Sequence, residues 1–130
     1  MLKGAPLALL AVLLSTAAHA EDLHLYAVSW SGDAQRSVAT RAILEQADAQ
    51  LRAELARRGN RVVNAGEPTA NAIVLMPTLE VDSNGTTISM VKVGADRSLL
   101  GSVKAKVGGP HRDAKLRRLI QRAVDEVARL

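Results

Sequence analysis

Residues 71–107 read NAIVLMPTLEVDSNGTTISMVKVGADRSLLGSVKAKV, and this stretch decides the fold. Over residues 73–81 apolar side chains recur at every second position, the period of a strand with one buried face. The pair Asn84-Gly85 tolerates positive φ and predicts a tight hairpin turn. Residues 86–93 and 99–107 are rich in β-branched or alternating apolar residues and predict two more strands. The stretch therefore predicts a three-stranded meander.

The last of these strands has the clearest alternation, with one apolar and one basic face. Lys104 and Lys106 lie on the basic face, and the apolar face consists of Leu99, Gly101, Val103, Ala105 and Val107. Pro77 in the first strand has no N–H to donate to a ladder. It predicts that this strand lies at an edge of the sheet or is interrupted there by a bulge.

Other elements are predicted on both sides of the meander. Residues 23–30 are apolar on both faces, as in a central strand, and residues 34–58 form a long amphipathic helix that ends at Gly59. Residues 61–64 predict a short strand. A second helix follows Pro110, with an apolar stripe of Leu116, Leu119, Ile120, Ala123, Val124 and Val127. The predicted fold class is α+β, in the order βαββββα, with two helices packed on one face of a mixed, largely antiparallel sheet.

The first 20 residues have the pattern of an export signal. Lys3 is followed by an apolar run at residues 7–14 and by Ala18-His19-Ala20, the small-x-small pattern that signal peptidase recognises. We expect cleavage after Ala20 and a periplasmic mature chain, residues 21–130, that forms one domain; a retained signal anchor is the alternative. The chain has no cysteine, so we expect neither disulfides nor a lipid-attachment cysteine.

Positive charge is concentrated near the end of the chain. Residues 92–130 contain ten basic and four acidic residues, a net charge of +6, whereas residues 21–91 have a net charge of −3. The basic segment, residues 92–130, predicts contact with an anionic envelope partner, such as lipid headgroups, lipopolysaccharide phosphates or an acidic protein surface. The alternative is a solvated basic face. The candidate contact residues are Lys104, Lys106, Lys115, Arg118 and Arg122. We expect no nucleic acid, because the chain has an export signal, few aromatic residues and no helix-turn-helix or zinc spacing.

No group of residues has the spacing of a catalytic or metal site. His24 and His111 have no second ligand nearby in sequence, and there is neither a cysteine nucleophile nor a G-x-S-x-G elbow. We therefore expect no enzymatic activity and no cofactor. The run Gly108-Gly109-Pro110-His111-Arg112 is a weak candidate for anion binding at a helix start, although Pro110 removes one donor and an ordinary turn is the alternative.

Two helices do not easily cover both faces of five strands. If the other face carries Tyr26 and Trp30, together with Val28, Val74 and Met76, these side chains form an exposed apolar patch of the kind that binds partners. The patch or the edge of the sheet would then contact a partner protein or a second copy of the chain. The alternative is a curled sheet in which these residues belong to the core.

Several short motifs resemble a known group of envelope domains. They are Val28-Ser29-Trp30-Ser31-Gly32, Leu55-Ala56-Arg57-Arg58-Gly59, Val62-Val63 and Ala70-Asn71-Ala72-Ile73-Val74-Leu75. Their arrangement resembles the amino-terminal domain of TolB translocation proteins and the related domain of CsgG-like secretion lipoproteins. The resemblance implies a periplasmic βαβ-containing scaffold without catalysis that docks onto envelope machinery or oligomerises. This chain departs from those proteins in lacking a lipobox cysteine, a propeller and membrane-spanning hairpins.

Two functions are consistent with the sequence. The first is a non-catalytic exported interaction or envelope-assembly accessory protein that binds through the sheet edge, the apolar face or the basic carboxy-terminal helix. The second is a periplasmic carrier of a small ligand or anion, with a pocket between the first helix and the sheet near Trp30 and Asp33.

Overall fold

The residues that the structure describes form one mixed sheet with two helices against one of its faces. The computed structural model describes residues 22–31, 38–64, 72–82 and 84–130. In chain order the strands and helices are β1 (Asp22–Leu25), β2 (Ser29–Trp30), α1 (Val38–Arg57), β3 (Arg61–Asn64), β4 (Ile73–Asp82), β5 (Gly85–Val93), β6 (Leu99–Gly108) and α2 (Asp113–Val127).

The sheet combines a parallel part with an antiparallel part. Its strand order is β3-β1-β4-β5-β6, and β2 pairs with β4 away from this path. β1 runs parallel to β3 and β4, as expected when a helix connects neighbouring strands. β4, β5 and β6 form the predicted antiparallel meander. The predicted fold class, α+β with a mixed sheet and two helices on one face, is confirmed.

The predicted first strand, residues 23–30, is in fact two short strands, which raises the number of strands to six. β1 pairs with β4 as far as Leu25 beside Leu75. Pairing resumes only in β2, where Ser29 lies beside Thr78. Residues 26–28 lie between the two strands and belong to neither.

The interruption lies beside Pro77. The carbonyl of Leu75 accepts a hydrogen bond from the N–H of Tyr26 at 3.0 Å, and that of Leu79 accepts one from Ser31 at 2.8 Å. Backbone groups at alternate positions of a strand point to the same side, so the nitrogen of Pro77 also faces the first strand but has no hydrogen to donate. The prediction of an edge strand or a bulge is therefore wrong. β4 is central and continuous, and its neighbour is interrupted instead.

The core lies between the helices and the face of the sheet that carries Leu75, Leu79, Ile88 and Met90. All six predicted stripe residues of α2 are buried. The first helix is predicted to bury a stripe of Ala39, Ile43, Ala47, Leu51 and Leu55. Ala47, Leu51 and Leu55 are buried and Ile43 is partly buried, whereas Ala39 is exposed. Gly59 has a φ of 90°, as predicted for a residue that ends a helix in the left-handed conformation. The predicted start of this helix, residues 34–37, lies outside the described residues.

The sequence predicts a turn between β4 and β5 that is centred on Asn84-Gly85, but the structure places Gly85 outside its centre. Asp82 pairs with Gly85, and its Oδ1 accepts hydrogen bonds from the N–H groups of Asn84 and Gly85 at 2.8 and 3.0 Å. Gly85 is thus the first residue of β5 rather than part of the turn. A Cβ atom on it would lie 2.2 Å from the backbone oxygen of Val107 in β6. The contact between strands therefore requires glycine at this position.

A cluster of charged side chains joins the end of α1 to α2. Glu54, which is buried, accepts hydrogen bonds from Arg57 at 2.5 Å and from Arg58 at 2.9 Å. Arg58 also pairs with Asp125 of α2 and donates to the carbonyl of Gln121 at 3.3 Å. The hydrogen bond from Arg57, helped by Arg58, lowers the pKa of Glu54 below its ordinary value of 4.5, although burial opposes this effect.

The lowered pKa of Glu54 predicts how stability depends on pH. A carboxyl group whose pKa falls on folding stabilises the protein above its unfolded pKa, and this contribution is lost as the pH falls through the folded value. We therefore expect the free energy of unfolding of the wild type to fall more steeply below pH 4.5 than that of Glu54→Gln. Urea unfolding over a series of acidic pH values measures this, with Glu45→Gln, an exposed change on the same helix, as the control. Parallel curves for the wild type and Glu54→Gln would contradict the prediction.

Candidate interaction surfaces

The face of the sheet opposite the helices is called the open face below. Residues paired across neighbouring strands point to the same face, so the register defines its rows. One end is apolar, with a row of Val63, His24, Val74 and Val93 and a next row of Met76 and Val91. The other end is polar, with rows of Thr78, Ser89 and Lys104 and of Glu80, Thr87 and Lys106. The open face therefore changes from apolar to charged along the strands.

The apolar end is accessible mainly over the middle strands. Tyr26 and Met76 are 42% and 39% exposed. His24, in contrast, is buried, and its Nδ1 has no hydrogen-bond partner within the described residues. Val74, Val91 and Val93 are partly buried. Outside β6, the most accessible large apolar side chains of this face are thus Tyr26 and Met76.

The predicted patch is only partly present. Tyr26, Val74 and Met76 lie on the open face, as expected. Val28 is buried in the core, and its N–H donates to Asp48 of α1 at 3.2 Å. Trp30 pairs with Leu79 and so points to the helix side of the sheet. Placing Val28 and Trp30 in the patch is wrong, because the interruption after β1 ends the alternation on which that placement depended. A role for Tyr26 or Trp30 in partner binding stays a prediction.

The predicted basic residues lie along both sides of the edge strand β6. Lys104 and Lys106 project from the open face and are exposed. On the other side of the strand, Lys115 donates to the carbonyl of Gly108 at 3.0 Å and Arg122 to that of Lys106 at 2.6 Å. These bonds occupy carbonyls on the free edge of the sheet, which hinders the addition of another strand there.

Arg118 completes this basic group. It lines a cavity of about 340 Å³ between α2 and the edge strand, together with Lys115 and Arg122 and with the apolar side chains Val107 and Leu119. The structure thus brings the three predicted helix cations together beside β6. Lys104 and Lys106 lie on the opposite side of the same strand, so the five residues surround the edge without forming one pocket.

The glycine run before α2 forms a turn. Gly109 has a φ of 85°, and a Cβ atom there would lie 2.8 Å from Nζ of Lys115, which crosses this turn to reach the carbonyl of Gly108. Arg112 is the residue that precedes α2, and its side chain caps no helix amide. Nε2 of His111 lies 3.9 Å from Oδ1 of Asp113. Anion binding by Gly108, Gly109, His111 and Arg112 stays a prediction, and Lys115 already occupies one carbonyl of the turn.

The pocket expected for a small-molecule carrier is a shallow cleft. It has a volume of about 370 Å³ and is lined by Ala27, Val28, Leu44, Glu45 and Asp48, between α1 and the gap in the first strand. The carboxylate of Asp48 is already bound to Arg52 at 2.8 Å and to the N–H of Val28. Asp33, which was expected beside this pocket, lies outside the described residues.

Neither a candidate metal site nor a membrane-spanning helix is found among the described residues. In that part, no three His, Cys, Asp or Glu residues are close enough to hold a metal ion. Its helices also include none that is both long and apolar enough to span a membrane.

One surface feature was missed in the sequence. Leu99 is 67% exposed and Leu100 43% exposed, whereas the alternation placed Leu99 on the buried face of the last strand. Gly101 pairs with Lys92 but Leu99 pairs with Val93, so Leu100 is an extra residue in β6. This bulge turns Leu99 onto the open face beside Val93. The glycine after two leucines is the only sequence signal for it, because glycine inside a strand often accompanies a bulge.

Comparisons with known proteins provide information on the fold alone. No family model matches the chain, and no curated protein matches it. Among solved structures, it is similar to the PelC dodecamer from Paraburkholderia phytofirmans, with a TM-score of 0.52 and 12% sequence identity over 81% of this chain and 84% of that one. A second structure, of an uncharacterized protein, covers 84% of this chain and 88% of its own at 14% identity, but its TM-score of 0.43 is too low to support an argument. The chain therefore shares the fold of PelC.

Proposed function

We propose that this chain is a non-catalytic, exported assembly module of the cell envelope that binds a second copy of itself through the open face. The observation that carries the proposal is the exposure of Tyr26 and Met76 beside the partly buried valines of the same face. An apolar surface of this kind on one side of a sheet is typical of protein interfaces. Export rests on the signal pattern of residues 1–20.

The β6 edge of the sheet is poorly suited to pairing with another strand. The carbonyls of Lys106 and Gly108 on the edge strand already accept hydrogen bonds from α2. Self-association by pairing of two β6 edges is therefore less favourable than association by the open face. The polar end of the open face, with Glu80, Lys104 and Lys106, is costly to bury, so we place the contact between copies at the apolar end.

The similarity to PelC supports the choice of a second copy over another protein. PelC has the same fold and is a dodecamer. A fold that presents one uncovered sheet face in each copy is compatible with repeated contacts between identical subunits. The resemblance to TolB and CsgG-like domains also implies docking or oligomerisation rather than catalysis.

The oligomeric state of the purified protein tests this proposal. We expect the wild type to associate as its concentration rises, as measured by analytical ultracentrifugation. Met76→Lys places a charge in the apolar end of the open face and is expected to weaken association by at least about tenfold, because an unpaired charge is costly to bury. Glu80→Lys adds a lysine to the polar end of the same strand and is the matched control.

The possible outcomes are distinct. A wild type that stays monomeric at every concentration would contradict self-assembly, and equal losses of association in both variants would show that the apolar end of the open face is not the contact. Saturable binding of a small molecule near α1 by a monomeric protein would favour the carrier instead. The amino terminus of the protein recovered from the periplasm tests export, and we expect it to be Glu21.

A further inference from the structure

Exposed leucines cluster at one corner of the molecule. Of the five large hydrophobic side chains that are exposed among the described residues, three are Leu99, Leu100 and Leu130. Leu130 lies beside β6, because a Cβ atom on Gly101 would be 2.9 Å from its side chain, and Leu99 and Leu100 immediately precede Gly101 in that strand. The carboxy-terminal end of α2 thus meets the start of β6 in an accessible apolar corner.

This corner is continuous with the basic edge of the sheet. α2 runs antiparallel to β6, since Lys115 contacts the end of that strand and Leu130 its beginning. Farther along β6, Lys104 and Lys106 lie on its open-face side, and Arg118 and Arg122 lie on its helix side. We call this whole surface the β6 rim, and it consists of Leu99, Leu100 and Leu130 with Arg97, Lys104, Lys106, Arg118, Arg122 and Arg129.

Few acidic groups oppose these cations. β6 itself contains no acidic residue. Asp96, in the turn before it, accepts hydrogen bonds from the N–H and the hydroxyl of Ser98. Glu126 of α2 is half-buried. Glu80 lies in the same row of the open face as Lys106. Six cations thus outnumber three carboxylates along one edge of the molecule, which is the charge complement of an anionic surface.

We propose that the β6 rim docks on the surface of an anionic lipid bilayer. Leu99, Leu100 and Leu130 would enter the boundary between headgroups and acyl chains, and the lysines and arginines would bind lipid phosphates. Exposed apolar side chains flanked by cations are the combination by which peripheral proteins bind anionic membranes. This inference deepens the proposed envelope role, because it names the anionic partner of the basic end of the chain.

The shape of the rim favours a bilayer over a soluble anion. β6 has ten residues, so the rim extends over roughly 33 Å at the rise of a strand. Its cations lie on both sides of that strand and do not converge on one point, as they would around a single phosphate. A flat surface can contact both sides of a convex edge at once.

Vesicle sedimentation tests the proposal with the full chain. We expect binding to vesicles of phosphatidylglycerol and phosphatidylcholine in equal parts, and none to phosphatidylcholine alone. Binding should weaken as salt rises from about 0.05 to 0.5 M, because screening shortens the reach of exposed charges. The triple variant Lys104→Gln, Lys106→Gln, Arg118→Gln should bind roughly 100-fold more weakly, since each cation near an anionic surface contributes about fivefold. None of these three side chains donates a hydrogen bond that the fold uses among the described contacts.

The matched control removes the same charge elsewhere. Arg41, Arg61 and Arg117 are exposed cations outside the rim, and their triple change to glutamine should leave binding nearly unchanged. A second test variant, Leu99→Ser with Leu100→Ser, should weaken binding that persists at high salt. All variants carry the same amino terminus, so any contribution of the apolar run at residues 7–14 is common to them.

Several results would overturn the proposal. They are absence of binding to the anionic vesicles at low salt, equal losses in the two triple variants, and displacement by millimolar inorganic phosphate, which would indicate a discrete anion site. Sedimentation of the same variants without lipid reports their oligomeric state. If the wild type associates normally but does not bind anionic vesicles, the rim proposal fails while the open-face proposal stands.

Discussion

Gly85→Ala is expected to destabilise the protein by about 3 kcal/mol, which corresponds to a fall in melting temperature of roughly 15 °C for a domain of this size. The new methyl group would lie 2.2 Å from the carbonyl oxygen of Val107, well inside van der Waals contact. The obstacle is backbone of a neighbouring strand, so it cannot rotate away as a side chain would. The residue also has a φ of 150°, which side chains rarely adopt. The hairpin and β6 must therefore separate to accommodate the change.

The chain provides a closely matched control for this prediction. Gly108 is paired with Gly85 across the ladder between β5 and β6. A Cβ atom on Gly108 would be 3.8 Å from the nearest atom, the carbonyl oxygen of Asn84, which is an ordinary contact. Gly108→Ala is thus expected to change the free energy of unfolding by less than about 1 kcal/mol. Urea unfolding of both variants measures the difference, and similar losses would show that strand propensity rather than the contact with Val107 sets the cost.

The elements that could be predicted are those whose pattern is local. In α2 the apolar stripe at a period of 3.6 residues specifies which side packs, and all six stripe residues are buried. In β4 the alternation from Ile73 to Val81 assigned the buried face correctly, because a continuous strand keeps its period. Lys104 and Lys106 are exposed for the same reason.

The features that could not be predicted depend on neighbouring strands. The chemistry of Pro77 alone predicts an edge strand or a bulge, but its missing N–H is accommodated by a gap in the adjacent strand. That gap then moved Val28 and Trp30 away from the face predicted for them. The extra residue at Leu100 had a similar effect on Leu99. A single interruption of the alternation places every later side chain of that strand on the opposite face of the sheet. Neither interruption has a strong local signal in the sequence.

Leu75→Ala and Met76→Ala are expected to differ widely in their effects, although the residues are adjacent in β4. Leu75 is fully buried against the helices, so its truncation should cost about 3 kcal/mol through lost apolar contact and a cavity. Met76 points to the open face and is 39% exposed, so the loss there should be below about 1 kcal/mol in the monomer. Urea unfolding at a concentration too low for association measures both.

This comparison tests the physical basis of the proposed function. A sheet covered on one side only must tolerate truncation on the other side, because little packing is lost there. If Met76→Ala destabilised the dilute monomer as much as Leu75→Ala, other parts of the same chain would cover Met76, and the open face would be core. The surface proposed for assembly would then not exist. If instead Met76→Ala is neutral in the monomer but weakens association, the apolar end of the open face stabilises contacts between chains rather than the fold.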